Sequence, residues 1–273
     1  MQIIRTASEL KKFIDSVSGE IGFVPTMGAL HDGHVSLIKR CASENDITIV
    51  STFVNPTQFL PNEDLDKYPK NEVRDIEICK SCGVAAIFIP SADELYFESE
   101  PCIAAPKNLA SILEGKTRPG HFDGVLRVLM KLFNLTRAKR AYFGKKDAQQ
   151  LTIVQNMVKT MFLNLEIIPC EIVREKDGLA LSSRNSYLNE SEKLEALRLS
   201  KAIMKASNLI KQNELTASKI KDEMFEILKP LKVDYVAIVD RNFNEISKIE
   251  PKNSIILVAA YVGKARLIDN LWV

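Results

Sequence analysis

The chain has 273 residues, 46% of them hydrophobic and 26% charged, which excludes wholesale disorder and supplies core for one large or two modest domains without disulfide or metal staples. Thirty-seven Lys and Arg against thirty-five Asp and Glu leave a formal charge of +2 with no long block of one sign, so the footprint of a general nucleic-acid binder is excluded. The longest strongly apolar run, residues 255–262, is far shorter than the about 20 residues of a membrane-spanning helix; with no secretory pattern at the N-terminus and no disulfide framework among five cysteines, the expected compartment is the cytoplasm.

The first helix is announced by Thr6-Ala7-Ser8-Glu9, where a Thr cap and a Glu three residues on can satisfy two helix-start donors. Leu10, Phe13, Ile14 and Val17 would then line one face, and Gly19 would end the segment. Residues 21–24 read as a strand, Pro25-Thr26-Met27-Gly28 as a loop, and 33–44 as a helix. The unit recurs with strands at 47–54, 85–89, 141–143 and 165–170, and helices at 71–82, 122–135 and 148–160. Strand alternating with helix implies parallel strands, because each crossover needs a helix-sized connection that covers a sheet face.

At least five parallel strands are therefore expected, in a Rossmann-like α/β domain over residues 1–173 with helices on both faces. Order and composition change after Asp177-Gly178. Two long amphipathic patterns fill 191–228, and strands are expected at 235–239, 255–261 and 266–268, giving a smaller C-terminal α+β domain over residues 174–273. The Cys79-Lys80-Ser81-Cys82 pair lacks a second ligand pair and reads as buried thiols.

Pro25-Thr26-Met27-Gly28-Ala29-Leu30-His31-Asp32-Gly33-His34 holds the most chemistry. Glycine lets backbone approach a ligand closely, helix-start amides favour phosphate, and two imidazoles three residues apart can donate to phosphoryl oxygens. The alternative for each histidine is core packing or capping; a zinc site built from His31, His34 and His121 lacks a recognised spacing.

Six separated motifs resemble the pantothenate synthetase (pantoate–β-alanine ligase) family, nucleotidyltransferases with a His-x-Gly-His signature. They are the loop just quoted; Phe53-Val54-Asn55-Pro56-Thr57-Gln58-Phe59; residues 115–124 with Arg118-Pro119-Gly120-His121-Phe122; Phe143-Gly144-Lys145-Lys146-Asp147-Ala148-Gln149-Gln150; residues 174–185; and Arg266-Leu267-Ile268-Asp269-Asn270. The resemblance implies ATP-dependent joining of (R)-pantoate to β-alanine through a pantoyl adenylate, with release of AMP and diphosphate.

It also implies the site. Met27, Gly28, Ala29, Leu30, His31, Asp32, Gly33 and His34 would hold ATP, together with Gly144, Lys145, Lys146 and Asp147, and with Val173, Leu181, Ser182, Ser183 and Arg184. His34, His31 and Lys146 would be catalytic, His34 in the place of the family's proton donor. Gln58 and Gln150 would bind pantoate, Gln58 also β-alanine, with Asn55 among the substrate-binding residues and Arg118 and His121 at the rim of the pantoate and phosphate site. Asp75 occupies a position that allows a direct or water-mediated contact to Mg2+.

A homodimer is implied too, and neither a nucleic-acid nor a membrane partner is expected. The main alternative is a nucleotidyltransferase that stops after adenylyl transfer to another small acid; a nucleotide-responsive binding protein without turnover is the alternative from a different class. Lys145, Ala148 and Leu181 depart from the common family residues Glu, Tyr and Met, and Arg74 stands where an acidic residue can precede Asp75.

Overall fold

The computed structural model describes residues 1–61 and 63–273. They divide into two compact units, Met1–Lys145 with Gln149–Glu171, and Lys146–Ala148 with Ile172–Val273.

The first unit opens with β1 (Gln2–Ile4) and α1 (Ala7–Ser16). The Thr6 hydroxyl caps Glu9 N and the Glu9 carboxylate returns to Thr6 N, so the capping box forms as read, and Leu10, Phe13 and Ile14 are buried. Val17 is already extended, so the helix stops one residue before the end of its apolar pattern. β2 (Ile21–Thr26), α2 (Asp32–Glu44), β3 (Ile47–Thr52), α3 (Glu72–Ser81) and β4 (Ala86–Phe88) follow. Three short helices, α4 (Ala92–Leu95), α5 (Lys107–Ala110) and α6 (Leu113–Thr117), precede α7 (His121–Thr136), β5 (Arg140–Gly144), α8 (Ala148–Thr160) and β6 (Glu166–Cys170).

The six strands form one parallel sheet in the order β1-β4-β3-β2-β5-β6. β2 to β4 build outward in one direction and β5 to β6 in the other, so the order reverses between β2 and β5. In an open parallel sheet such a reversal leaves a crevice at the carboxyl ends of the two strands, where ligands bind. Phe23, Val24, Ile49, Val50 and Ile87 have no exposed surface and reflect burial of the sheet on both faces. Burying a side chain of this size contributes about 1.5–3 kcal/mol. Cys79 and Cys82 are reduced and buried in the same core, and burial pushes the Cys79 thiol up to about 12, as expected of inert thiols.

The second unit is α+β: α9 (Glu190–Lys211) and α10 (Ala217–Leu228) pack with an antiparallel sheet of β7 (Lys232–Asp240), β8 (Ser254–Val262) and β9 (Ala265–Trp272). Ala196, Leu199, Ala202, Ile203 and Ala206 form the buried stripe of α9, and Ile220, Met224 and Leu228 that of α10. Arg174 donates to both oxygens of the buried Asp269 at 2.6 and 2.8 Å, tying the segment after Ile172 to β9.

Candidate active site

The loop after β2 carries two consecutive left-handed residues, Gly28 at φ +83° and Ala29 at φ +50°. A side chain at Gly28 would be strained and would crowd Asp75, whose Oδ2 lies 3.1 Å from an ideal Cβ. Asp75 reaches up from α3 and accepts Ala29 N at 2.9 Å on one oxygen and Leu30 N at 2.8 Å on the other. Burial raises its pKa against the opposing pull of those two amides. Each Asp75 carboxylate oxygen thus holds one amide of the loop. Among the described residues no group of three or more His, Cys, Asp or Glu is arranged to hold a metal ion.

The two histidines cap α2 reciprocally. His31 Nδ1 accepts Gly33 N at 3.2 Å, and His34 Nδ1 accepts His31 N at 3.4 Å. A nitrogen that accepts carries no proton, so each neutral ring bears its proton on Nε2. The rings lie 4.1 Å apart between centroids, tilted by 39°. Capping and phosphate chemistry, opposed readings in the sequence, are compatible here: one ring edge caps the helix and the other carries an N–H donor. The N–H groups of Ala29, Leu30, His31 and Gly33 have internal partners in Asp75 and the imidazoles.

Asn55 caps a 3-10 turn, Pro56–Gln58, that ends on Gln58, and both residues are buried. Asn55 Nδ2 donates to Gln58 Oε1 at 3.0 Å and to Gly124 O at 3.1 Å, and Gln58 Nε2 lies 3.2 Å from Met27 Sδ. The turn packs so closely on α7 that a Cβ at Gly124 would meet Thr57 O at 2.2 Å, which explains the glycine. Gln150, on α8, is half-buried.

Arg118 and His121 have internal partners where substrate contacts were expected. Arg118 forms a two-pronged ion pair with Glu63, Nη2 to Oε2 at 2.7 Å and Nε to Oε1 at 2.5 Å. Burial penalises the Glu63 charge, but the Arg118 hydrogen bonds and charge outweigh it and hold the carboxyl below its usual range. His121 is 7% exposed. Its Nδ1 lies 2.8 Å from Gln58 O, which can only accept, so Nδ1 carries the proton and Nε2 accepts from Arg118 Nη1 at 3.0 Å. Burial, reinforced by the Arg118 charge, lowers the His121 pKa to about 4. The pair holds the backbone of Gln58.

β5 ends at Gly144, and Lys145 ion-pairs with Glu171 while its amide donates to Cys170 O at 2.8 Å. The charge introduced at Lys145 is thus met by a local carboxylate. Within the second unit, Lys146 Nζ lies 3.9 Å from Asp147 Oδ1, and the Lys146 carbonyl accepts Asn270 Nδ2 at 2.7 Å. Leu181 N donates to Val173 O at 3.0 Å, and Ser182 caps the turn Ser183–Tyr187 by accepting Arg184 N at 3.3 Å.

Sequence reasoning assigned no role to Asn270 or to Gln149. The Arg266-to-Asn270 motif was visible, and its meaning is the pair of contacts to Arg174 and Lys146. Gln149 is buried, accepts Glu114 N at 3.0 Å and donates to Leu109 O and Ile112 O at 2.6 and 2.9 Å, securing the segment that leads to Arg118. A buried glutamine beside Gln150 left no periodic signal.

A six-stranded parallel sheet whose order reverses beside a glycine loop, with paired capping histidines opening the next helix, defines a nucleotide-binding α/β protein of nucleotidyltransferase type. The family model for pantoate-beta-alanine ligase matches residues 2–272, and the chain belongs to that family. It is 71% identical to the pantothenate synthetase of Campylobacter curvus (strain 525.92) and 70% to that of Campylobacter concisus (strain 13826), in both cases over all of both chains. The crystal structure of pantothenate synthetase from Thermus thermophilus superposes with a TM-score of 0.95 at 37% identity, covering 100% of this chain and 99% of that one. The pantoate-beta-alanine ligase of Francisella tularensis, complexed with beta-gamma ATP and beta-alanine, matches with a TM-score of 0.83 at 38% identity, covering 100% and 97%.

Proposed function

We infer that this enzyme condenses (R)-pantoate with β-alanine at the expense of ATP, giving pantothenate, AMP and diphosphate through a pantoyl adenylate. The observation that carries this reading is the family match over residues 2–272. The loop from Met27 to His34 supplies chemistry suited to it.

In the first step the pantoate carboxylate attacks the α-phosphorus of ATP and diphosphate departs from the opposite side. The Nε2–H edges of His31 and His34 donate to phosphate oxygens, and His34 gives the leaving diphosphate a hydrogen-bond donor where charge develops. Lys146 and Arg184 counter phosphate charge, and Ser182 and Ser183 bind phosphate oxygens without acting as nucleophiles. Met27, Gly28, Ala29, Leu30, Asp32 and Gly33 shape the nucleotide loop, and Gly144, Lys145, Asp147, Val173 and Leu181 complete the proposed ATP contacts. Magnesium accompanies ATP as the counter-ion of its phosphates; no step is assigned to a metal held by Asp75.

Gln58 and Gln150 orient the pantoate carboxylate and hydroxyls, since a carboxamide donates and accepts without adding charge. Asn55, Arg118 and His121 hold Gln58 in place. In the second step the β-alanine amine attacks the acyl carbon and AMP leaves, which requires no protein nucleophile. Residues 1–173 are assigned the nucleotide and pantoate, and residues 174–273 the exclusion of water from the mixed anhydride. A homodimer in the cytoplasm is the proposed setting; among the described residues no helix is long and apolar enough to cross a membrane. Light scattering over a protein-concentration series tests the dimer.

The purified protein should catalyse pantoate-dependent exchange between diphosphate and ATP, then form AMP and pantothenate once β-alanine is added. Exchange with no requirement for β-alanine in product release would favour a simple adenylyl transferase, and absence of both activities would reject the assignment.

A further inference from the structure

Tyr96 follows α4, outside all six family motifs, yet its hydroxyl ends on the atom that decides how Gln58 is oriented. Asn55 Oδ1 accepts Tyr96 OH at 2.5 Å, Thr57 Oγ1 at 2.9 Å and Thr57 N at 3.3 Å. Asn55 Nδ2 spends its two hydrogens on Gln58 Oε1 and Gly124 O. Turning the Asn55 carboxamide over would aim its N–H groups at the Thr57 N–H and its carbonyl at Gly124 O, so these two backbone partners fix one orientation, and the Tyr96 hydroxyl, also 3.2 Å from Thr57 Oγ1, completes the set around Oδ1. Because Gln58 Oε1 accepts from Asn55, the Gln58 carboxamide is held in one orientation, with the N–H donors on Nε2, the atom beside Met27 Sδ.

Both Thr57 donors lie two residues from Asn55 and belong to the same turn. Tyr96 alone of the three joins the turn to a distant segment. Its own placement is reinforced by two cations over its ring, Arg127 at 4.8 Å and Lys131 at 5.1 Å from the centroid, both of them paired with Glu100. Burial raises the pKa of the phenol, which keeps it a donor.

We propose that Tyr96 is a positioning residue for the acid substrate: through Asn55 it holds the Gln58 carboxamide in the orientation that presents its Nε2–H donors to an acceptor oxygen of that substrate. The proposal rests on the reading of Gln58 as a pantoate contact. It assigns to a phenol outside the motifs the selection of an acceptor group, a carboxylate or hydroxyl oxygen, at that position.

Tyr96→Phe keeps the ring and its cation contacts and deletes only the hydroxyl. The expected result is a fall of about tenfold in kcat/KM for pantoate with the KM for ATP unchanged within about twofold, the loss of one buried hydrogen bond expressed at one substrate. Adding Tyr96→Phe to Asn55→Ala should cost nothing more, because the two act in series. Unchanged kcat/KM for pantoate, equal losses toward both substrates, or additive losses in the double variant would overturn the proposal. A second measurement needs no turnover: solvent exchange of the Asn55 Nδ2 protons, followed by NMR in the ligand-free protein, should be at least about tenfold faster in Tyr96→Phe, and unchanged exchange would equally refute the linkage. If the wild-type protein shows no pantoate-dependent exchange of diphosphate, the functional assignment fails, and the Asn55 measurement still decides whether Tyr96 fixes the turn.

Discussion

His121 ties acid sensitivity to the support of Gln58, and the size of the effect follows from its surroundings. The ring is neutral in the fold, with Nδ1–H given to Gln58 O and Nε2 accepting from Arg118, and protonating Nε2 would place a cation 3.0 Å from a guanidinium nitrogen inside the protein. Its pKa falls from 6.5 to about 4, first through burial and then through the Arg118 charge. The folded chain therefore binds this proton later than the unfolded chain as pH falls. Stability is complete above pH 6.5 and is lost as pH drops through the window down to about 4. The full difference is worth about 3 kcal/mol, of which about 2.5 is gone by pH 4.5.

His121→Asn retains a donor near the Nδ1 position and cannot titrate. Urea denaturation of both proteins from pH 8 to pH 4.5 isolates the contribution, because other titrating groups cancel in the difference. The wild type should lose about 2.5 kcal/mol more than the variant over this range at constant denaturant slope. Parallel stability curves would show that His121 does not carry the acid sensitivity and would refute the tautomer and charge argument together.

Other expectations concern the loop and the lysine. His34→Ala should lower the rate of pantoate-dependent diphosphate exchange by about a hundredfold or more with an unchanged circular dichroism spectrum, and an unaltered first-step rate would reject its central role. Asp75→Asn turns one amide N–H against the N–H of Ala29 or Leu30; it should cost about 1–3 kcal/mol in urea denaturation and raise the KM for ATP, and a variant with the wild-type KM would show that the loop keeps its shape without the carboxylate. Asn270→Ala frees the Lys146 carbonyl, and we expect a drop of about tenfold in kcat with little change in thermal midpoint; equal activity would remove Asn270 from the positioning of Lys146.

What was legible in the sequence was what local chemistry decides. The capping box at Thr6 and Glu9 is satisfied within four residues, and the helix over 148–160 carries its own periodicity, so both were found where they lie. β1 was missed because only Ile4 of its three residues is buried and its pairing with β4 joins positions more than eighty residues apart. α4, α5 and α6 are too short for a 3.6-residue pattern to declare itself, and Tyr96 and Gln149 act through contacts in and around that stretch. The motif histidines, Asn55 and Gln58 could be picked out, but not the internal partners that their polar atoms find.

The sequence by itself determined the alternation of strands and helices, the split between a parallel α/β part and a smaller α+β part, and the residue types available for phosphate and acid recognition, because these depend on periodicity and on chemistry carried by each residue. The tertiary structure decided direction: which nitrogen of each histidine bears the proton, which way the Gln58 carboxamide is turned, and that Asp75, Arg118 and His121 are bound to the protein itself. Those choices are made by hydrogen-bond partners that come from other elements, such as α3 for the Met27–His31 loop and the segment after α4 for Asn55. Donors and acceptors buried together must pair, and only folding brings the partners within reach.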